Sequence, residues 1–172
     1  MRLIALFSIA TLCALAVQTT IPHWLPVGTF VPDLVLILAV DLGLRHHGAA
    51  SPVMAFAMGY ATDAFSGTHL GLNAFMLTLV FLMTYELSRH LFSTSTAIGA
   101  IAVFVGVMLA GFGDIVLAAE PGAMPHLGAI LPRLMLQAGI TALLAPWIFA
   151  AMEGIGRVFG LRPSSVRERE RD

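Results

Sequence analysis

Long apolar stretches set the strongest limit on what this chain can fold into. Six of them recur along the sequence, at 3–20, 34–44, 50–62, 71–85, 97–119 and 127–152. Several approach the roughly 20 residues that span a bilayer core. Only 11% of the residues are charged, against about 25% in a soluble domain. Spanning segments must be helices or a closed barrel, and these stretches lack the alternation of barrel strands. The sequence therefore predicts an all-α integral membrane protein.

The connections between the apolar stretches are short, which favours one six-helix transmembrane bundle over residues 1–156. The helices are expected at about 2–20, 32–45, 49–65, 71–91, 96–118 and 128–156. Pro22, Pro26 and Pro32 are expected to break the chain before the second helix, and Gly67 and Gly71 to form the turn after the third. An arginine-rich cytoplasmic tail follows at 157–172.

The first apolar stretch also resembles a signal peptide, with Ala14 and Ala16 at a possible cleavage site. Leu12 stands directly before Cys13, where a lipoprotein signal would have a small residue. We therefore treat the stretch as a retained helix.

The arginines predict the orientation of the bundle. They fall at the N-terminus, the second and fourth connections and the tail, namely Arg2, Arg45, Arg89, Arg157, Arg162, Arg167, Arg169 and Arg171. The opposite connections carry acids, and Arg133 lies just inside the sixth helix. The excess of positive charge on one side predicts that both termini are cytoplasmic. The expected location is the bacterial cytoplasmic (inner) membrane, crossed several times.

The second and third helices are short for membrane spans. Fourteen residues at 32–45 give about 21 Å, less than the roughly 30 Å of hydrocarbon. Hydrophobic mismatch with the bilayer is the interpretation we favour, and a position inside the bundle or beside a cavity is the alternative.

Charged residues inside the apolar stretches are expected to pair. Three pairs lie at helical spacing on a single helix, namely Asp41 with Arg45, Glu86 with Arg89, and Glu153 with Arg157. On the opposite side, Asp114 and Arg133 would reach similar depth on antiparallel helices, which predicts an intramembrane ion pair. Asp33 is an equally permissible partner for Arg133, although Pro32 and Asp33 also suit the first turn of a helix.

No motif predicts catalysis. The sequence has no nucleophile elbow, no zinc-protease motif and no phosphate-binding loop. The adjacent His46 and His47 point in different directions on a helix and make a poor metal pair. We therefore expect no enzyme activity, no cofactor or metal, and no nucleic-acid partner.

An ordered set of motifs resembles one membrane family. Pro32-Asp33 opens a helix, Gly59-x-x-x-Asp63 closes the next one, and Leu70-Gly71 begins the fourth. This arrangement over about 31–75 is similar to MreD, the rod shape-determining membrane proteins of bacteria, although Tyr60 stands where that family more often has an aliphatic residue. The resemblance implies a fold similar to the substrate-binding subunits of energy-coupling-factor vitamin transporters.

The resemblance also implies a non-catalytic scaffold of the cell-elongation complex. Its expected partner is MreC, and through it MreB, RodA and a class B penicillin-binding protein in lateral peptidoglycan synthesis, with membrane lipids around it. The alternative function is a vitamin-binding transporter subunit. We expect Asp63 to hydrogen bond the adjoining loop or the start of the fourth helix. These bonds would fix a surface for MreC, or, as the alternative, serve only as local structure.

Overall fold

The computed structural model describes residues 2–24, 31–46, 48–67, 71–90, 96–118 and 127–158. Within these residues the chain is all-helical, as predicted, with six helices. They are α1 (Arg2–Trp24), α2 (Leu34–Arg45), α3 (Ser51–Ser66), α4 (Leu72–His90), α5 (Thr96–Ala118) and α6 (Leu127–Val158). The predicted tail beyond 158 lies outside the described residues, as does Pro26.

Three of the described helices are long and apolar enough to cross a membrane. The qualifying segments are Leu3–Thr20 in α1, Thr96–Gly113 in α5 and Ile130–Arg157 in α6. At 12 and 16 residues, α2 and α3 are too short for a full span of hydrocarbon.

The helix boundaries differ from the prediction mainly at the first two helices. α3, α4, α5 and α6 begin and end within two residues of the expected positions. α1, however, continues past Pro22 to Trp24, so this proline does not end the helix as predicted. A proline so close to a helix terminus removes only one hydrogen bond, that to the carbonyl four residues earlier. α2 begins only at Leu34, which leaves Pro32 and Asp33 in front of it.

α2 is the central helix of the bundle. It packs against each of the other five helices, and every residue from Val35 to Leu44 is buried. Because its side chains face protein on all sides, α2 has no lipid-facing surface to match to the bilayer thickness. The mismatch interpretation of the short second helix was therefore wrong, and the alternative position inside the bundle is correct.

Two apolar clusters hold the other helices to α2. The first joins α2 to α4, α5 and α6, and it includes Leu36, Val40, Val80, Val103 and Phe149. The second joins α2 to α1, α3, α4 and the later part of α6, and it includes Phe7, Leu38, Met54, Phe81 and Met152. Lipid supplies no hydrophobic force between helices, so close packing of such clusters stabilises the bundle.

One end of the bundle collects the start of α1 and the last residues of α2, α4 and α6. The rings of Phe7 and His46 lie 5.5 Å apart there, and Ser88 Oγ on α4 lies 3.5 Å from the Gly43 carbonyl oxygen on α2. We call this the arginine end, because it carries Arg45, Arg89 and Arg157.

Candidate functional site

The junction between α3 and α4 is organised around Asp63, which is fully buried. Its Oδ2 accepts hydrogen bonds from the backbone N–H groups of Gly71 (2.9 Å) and Ala74 (3.2 Å). Its Oδ1 accepts from the backbone N–H (3.1 Å) and the side-chain Nδ2 (3.0 Å) of Asn73. The first N–H groups of a helix have no partner within that helix, so Asp63 caps α4 from the neighbouring helix. The expected hydrogen bonds to the fourth-helix start are thus present.

Two glycines make the turn between these helices. Gly67 ends α3 with a φ of 64°, and its N–H donates to the Asp63 carbonyl oxygen at 3.1 Å. Gly71 follows with a φ of 98°. Residues with a side chain rarely adopt such angles, so both positions favour glycine. The predicted motif residue Leu70 lies outside the described residues.

Gly59 lies one helical turn before Asp63 and lets the two helices touch. A Cβ at this position would stand 2.5 Å from both the Ala74 Cα and the Asn73 carbonyl oxygen. Gly59 and Asp63 therefore hold the same turn of α4, one by close approach and the other by hydrogen bonding. Each oxygen of the Asp63 carboxylate accepts two hydrogen bonds from within the chain. This arrangement suits a structural role for Asp63, and the surface for MreC stays a prediction.

A second polar cluster lies at the start of α2. Asp33 is its N-cap: Oδ1 accepts from the Leu36 N–H at 3.0 Å and lies 3.4 Å from the Gln18 amide nitrogen on α1. The Asp33 N–H donates to Thr141 Oγ1 on α6 at 3.2 Å. Asp33 thus joins three helices, in addition to the helix-starting role expected for it.

Two glutamine side chains complete this cluster by binding carbonyl groups before α2. Gln18 donates to the Pro32 oxygen at 3.0 Å, and Gln137 to the Val31 oxygen at 3.3 Å. Sequence reasoning missed these residues and Thr141. The one feature of the sequence that could have indicated them is that they are polar residues within apolar helices, and that Gln137 and Thr141 are spaced one turn apart. Thr141 is about 21 Å along α6 from Leu127, so α2 begins deep inside the bundle.

The arginine end holds a network of charges. Arg45 Nε lies 2.9 Å from Oδ1 of the buried Asp41, an ion pair outside ideal hydrogen-bond alignment. The same guanidinium reaches Glu153 on α6, with Nη1 3.1 Å from Oε2, and stacks over the Phe149 ring at 5.6 Å. Glu153 also pairs with Arg157. Both predicted local pairs are present, and Arg45 joins them into one network between α2 and α6.

The other charged side chains that the structure describes stand apart from these clusters. The predicted pair of Glu86 and Arg89 is present at 3.7 Å, with both side chains exposed. Arg133 is exposed on α6, and the contacts described for Asp33 do not include it. The side chain of Asp114 lies outside the described residues, so the Asp114–Arg133 pair stays a prediction. Among the residues that the structure describes, no group of three His, Cys, Asp or Glu side chains could hold a metal ion.

Comparisons with known proteins place the chain in a family. Searches of curated proteins and of solved structures find no significant match, so similarity to the vitamin-transporter subunits stays an expectation. The model of the family described as rod shape-determining protein MreD matches residues 1–155. That range contains the α3–α4 junction, the polar cluster at α2 and nearly all of α6, and the chain therefore belongs to the MreD family.

Proposed function

We propose that this chain is a non-catalytic membrane subunit of the cell-elongation complex that binds MreC. Membership of the MreD family carries the proposal, because this is a family of structural proteins that determine rod shape. Through MreC the chain would act with MreB, RodA and a class B penicillin-binding protein in lateral peptidoglycan synthesis.

The use of the charged groups supports a scaffold function. Asp33, Asp41, Asp63 and Glu153 each contact donors or arginines of this same chain. A catalytic acid or base needs geometry that reaches a substrate, whereas these groups hold helices together. What the bundle offers to a partner is its exposed apolar helix surface.

The groove between α4 and α5 is the surface we assign to MreC. Its volume is about 310 Å³ and its lining is almost entirely apolar. Exposed residues one turn apart form a ridge on each side, Met83 and Leu87 on α4 and Ile101 and Val105 on α5. Ridges of one helix pack into the grooves of others, so a single apolar helix of the partner fits this surface.

We also propose that the arginine end faces the cytoplasm. The start of α1 and the end of α6 lie at that end with Arg45, Arg89 and Arg157, and positively charged residues favour the cytoplasmic side. Both termini would then be cytoplasmic, in the multi-pass arrangement expected for the bacterial inner membrane.

Photo-crosslinking in native membranes tests the partner and the surface together. A photoreactive amino acid replaces Ile101 in the groove, and in a matched variant it replaces Leu143, an exposed α6 residue outside the groove lining. We expect an adduct with MreC from position 101 and none from position 143.

The outcomes separate the two parts of this proposal. Adducts with MreC from position 143 alone would move the interface to another face and leave the scaffold function standing. The absence of MreC both from every adduct and from the protein purified out of native membranes would refute MreC binding itself.

A further inference from the structure

A second apolar groove lies between α1 and α6. Ala5, Ile9 and Cys13 line it from α1, and Met152 and Ile155 from α6. Its volume is about 340 Å³. From Ala5 to Cys13 the groove follows eight residues of helix, about 12 Å. That length is close to one leaflet of a hydrocarbon core roughly 30 Å thick, and it lies next to the arginine end.

A small pocket that contains charged side chains adjoins this groove at the arginine end. Leu6 and Met152 line both cavities, so the two are adjacent. The pocket measures about 60 Å³ and is lined by the ion-pair network, including Arg45, Glu153 and Arg157. An apolar groove that follows α1 for about 12 Å thus lies beside the charged groups of the arginine end.

The group that this pocket presents outward is a guanidinium. Asp41 is buried, and the two oxygens of Glu153 are engaged by Arg45 and Arg157. Arg157 itself is 76% exposed, and its guanidinium has five N–H donors, of which Glu153 engages only part. The acids thus hold the arginines in place, while the exposed donors of Arg157 face outward. α1 also starts here, and the start of a helix favours negative charge.

We propose that the α1–α6 groove is a binding site for an anionic phospholipid, with one acyl chain along α1 and the phosphate on Arg157. In the orientation proposed above this end is cytoplasmic, the side on which basic groups between membrane helices bind acidic headgroups. A partner helix is the other candidate occupant. The charged groups beside the groove favour the lipid, because an acyl chain lying along α1 brings its phosphate next to the exposed guanidinium of Arg157. This site is separate from the α4–α5 groove and does not depend on MreC.

Native mass spectrometry of the purified full chain tests the site, with phosphatidylglycerol and phosphatidylethanolamine as probes. We expect one tightly retained phosphatidylglycerol per chain and weaker retention of phosphatidylethanolamine. Arg157→Gln should lower phosphatidylglycerol affinity about fivefold, the contribution of one arginine near an anionic surface. Arg89→Gln is the matched control, because Arg89 is also exposed at the arginine end and paired with a glutamate on its own helix.

A second pair of variants tests the acyl-chain groove. Ala5→Leu places bulk in the α1–α6 groove, and Ala57→Leu places the same bulk in the groove between α1 and α3. Only Ala5→Leu should lower the retention of phosphatidylglycerol. This pair therefore tests the lipid site even if Arg157→Gln fails to fold. Equal retention in all four variants, or no preference for phosphatidylglycerol, would overturn the proposal.

Cys13 supplies an independent test of what occupies the groove. It is the only cysteine in the chain and is exposed in the groove. A photoreactive group attached to this thiol in native membranes should form adducts with phospholipid. An adduct with a protein would show that a partner helix fills the groove and would refute the lipid site.

Discussion

Replacing Asp63 by alanine removes the acceptor of four hydrogen bonds at the start of α4. The side chain is fully buried, and of its donors the Ala74 N–H is buried while those of Gly71 and Asn73 are partly buried. We expect Asp63→Ala to destabilise the bundle strongly. Asp63→Asn should have an intermediate effect, because one oxygen remains and the new NH₂ group faces backbone donors.

The magnitude follows from the environment of each donor. A buried N–H left without an acceptor costs about 1–3 kcal/mol, and loss of a partly buried hydrogen bond about 0.5–1.5 kcal/mol. The buried Ala74 N–H together with the two partly buried backbone groups gives a loss of roughly 2–6 kcal/mol. For a protein of this size, that loss corresponds to a fall in melting temperature on the order of 10 °C.

Thermal unfolding of the detergent-purified protein, followed by helical circular dichroism, measures this effect. Glu86→Ala is the matched control, because it removes an acid from an exposed pair that contributes only about 0–1 kcal/mol. The order of melting temperatures should be wild type and Glu86→Ala first, then Asp63→Asn, then Asp63→Ala. If Asp63→Ala melts together with Glu86→Ala, Asp63 does not hold α4 and the account of the junction is wrong.

Two further predictions concern helix contacts. Gly59→Ala should destabilise by about 1–3 kcal/mol, because its Cβ would overlap backbone atoms of α4. Gly154→Ala is the control, because a Cβ there meets open space, and it should leave the melting temperature unchanged or raised. Similar falls in melting temperature in both variants would contradict the close contact between Gly59 and α4. Arg45→Gln should cost about 3–5 kcal/mol by leaving Asp41 as a buried charge, whereas Arg89→Gln should cost at most about 1 kcal/mol. Chemical denaturation in detergent compares these two, and equal midpoints would refute the buried pair.

The sequence predicted well those features that depend on neighbours along the chain. The helices from α3 to α6 follow from the lengths of their apolar stretches and the short connections between them. The role of Asp63 was also accessible, because its donors lie only 8 to 11 residues later, across a turn marked by Gly67 and Gly71.

Contacts between distant helices were not predictable in the same way. Arg45 and Glu153 are 108 residues apart, so spacing revealed only their local partners Asp41 and Arg157. The central position of α2 escaped prediction for a related reason. A short apolar helix has the same composition whether lipid or protein surrounds it, and only the packing of five neighbours decides between the two. The end of α1 was misplaced because Pro22 signals a break with equal strength in the last turn of a helix and after it.

The contacts of α2 also bear on the order in which the chain is synthesised. Thr141 and Glu153, which bind Asp33 and Arg45 at the two ends of α2, both belong to α6. At about 5–20 residues per second, translation of the 108 residues from Arg45 to Glu153 takes roughly 5–20 s. During that interval a nascent α2 lacks the groups that complete its ends. The contacts of α2 are therefore complete only after α6 has been synthesised.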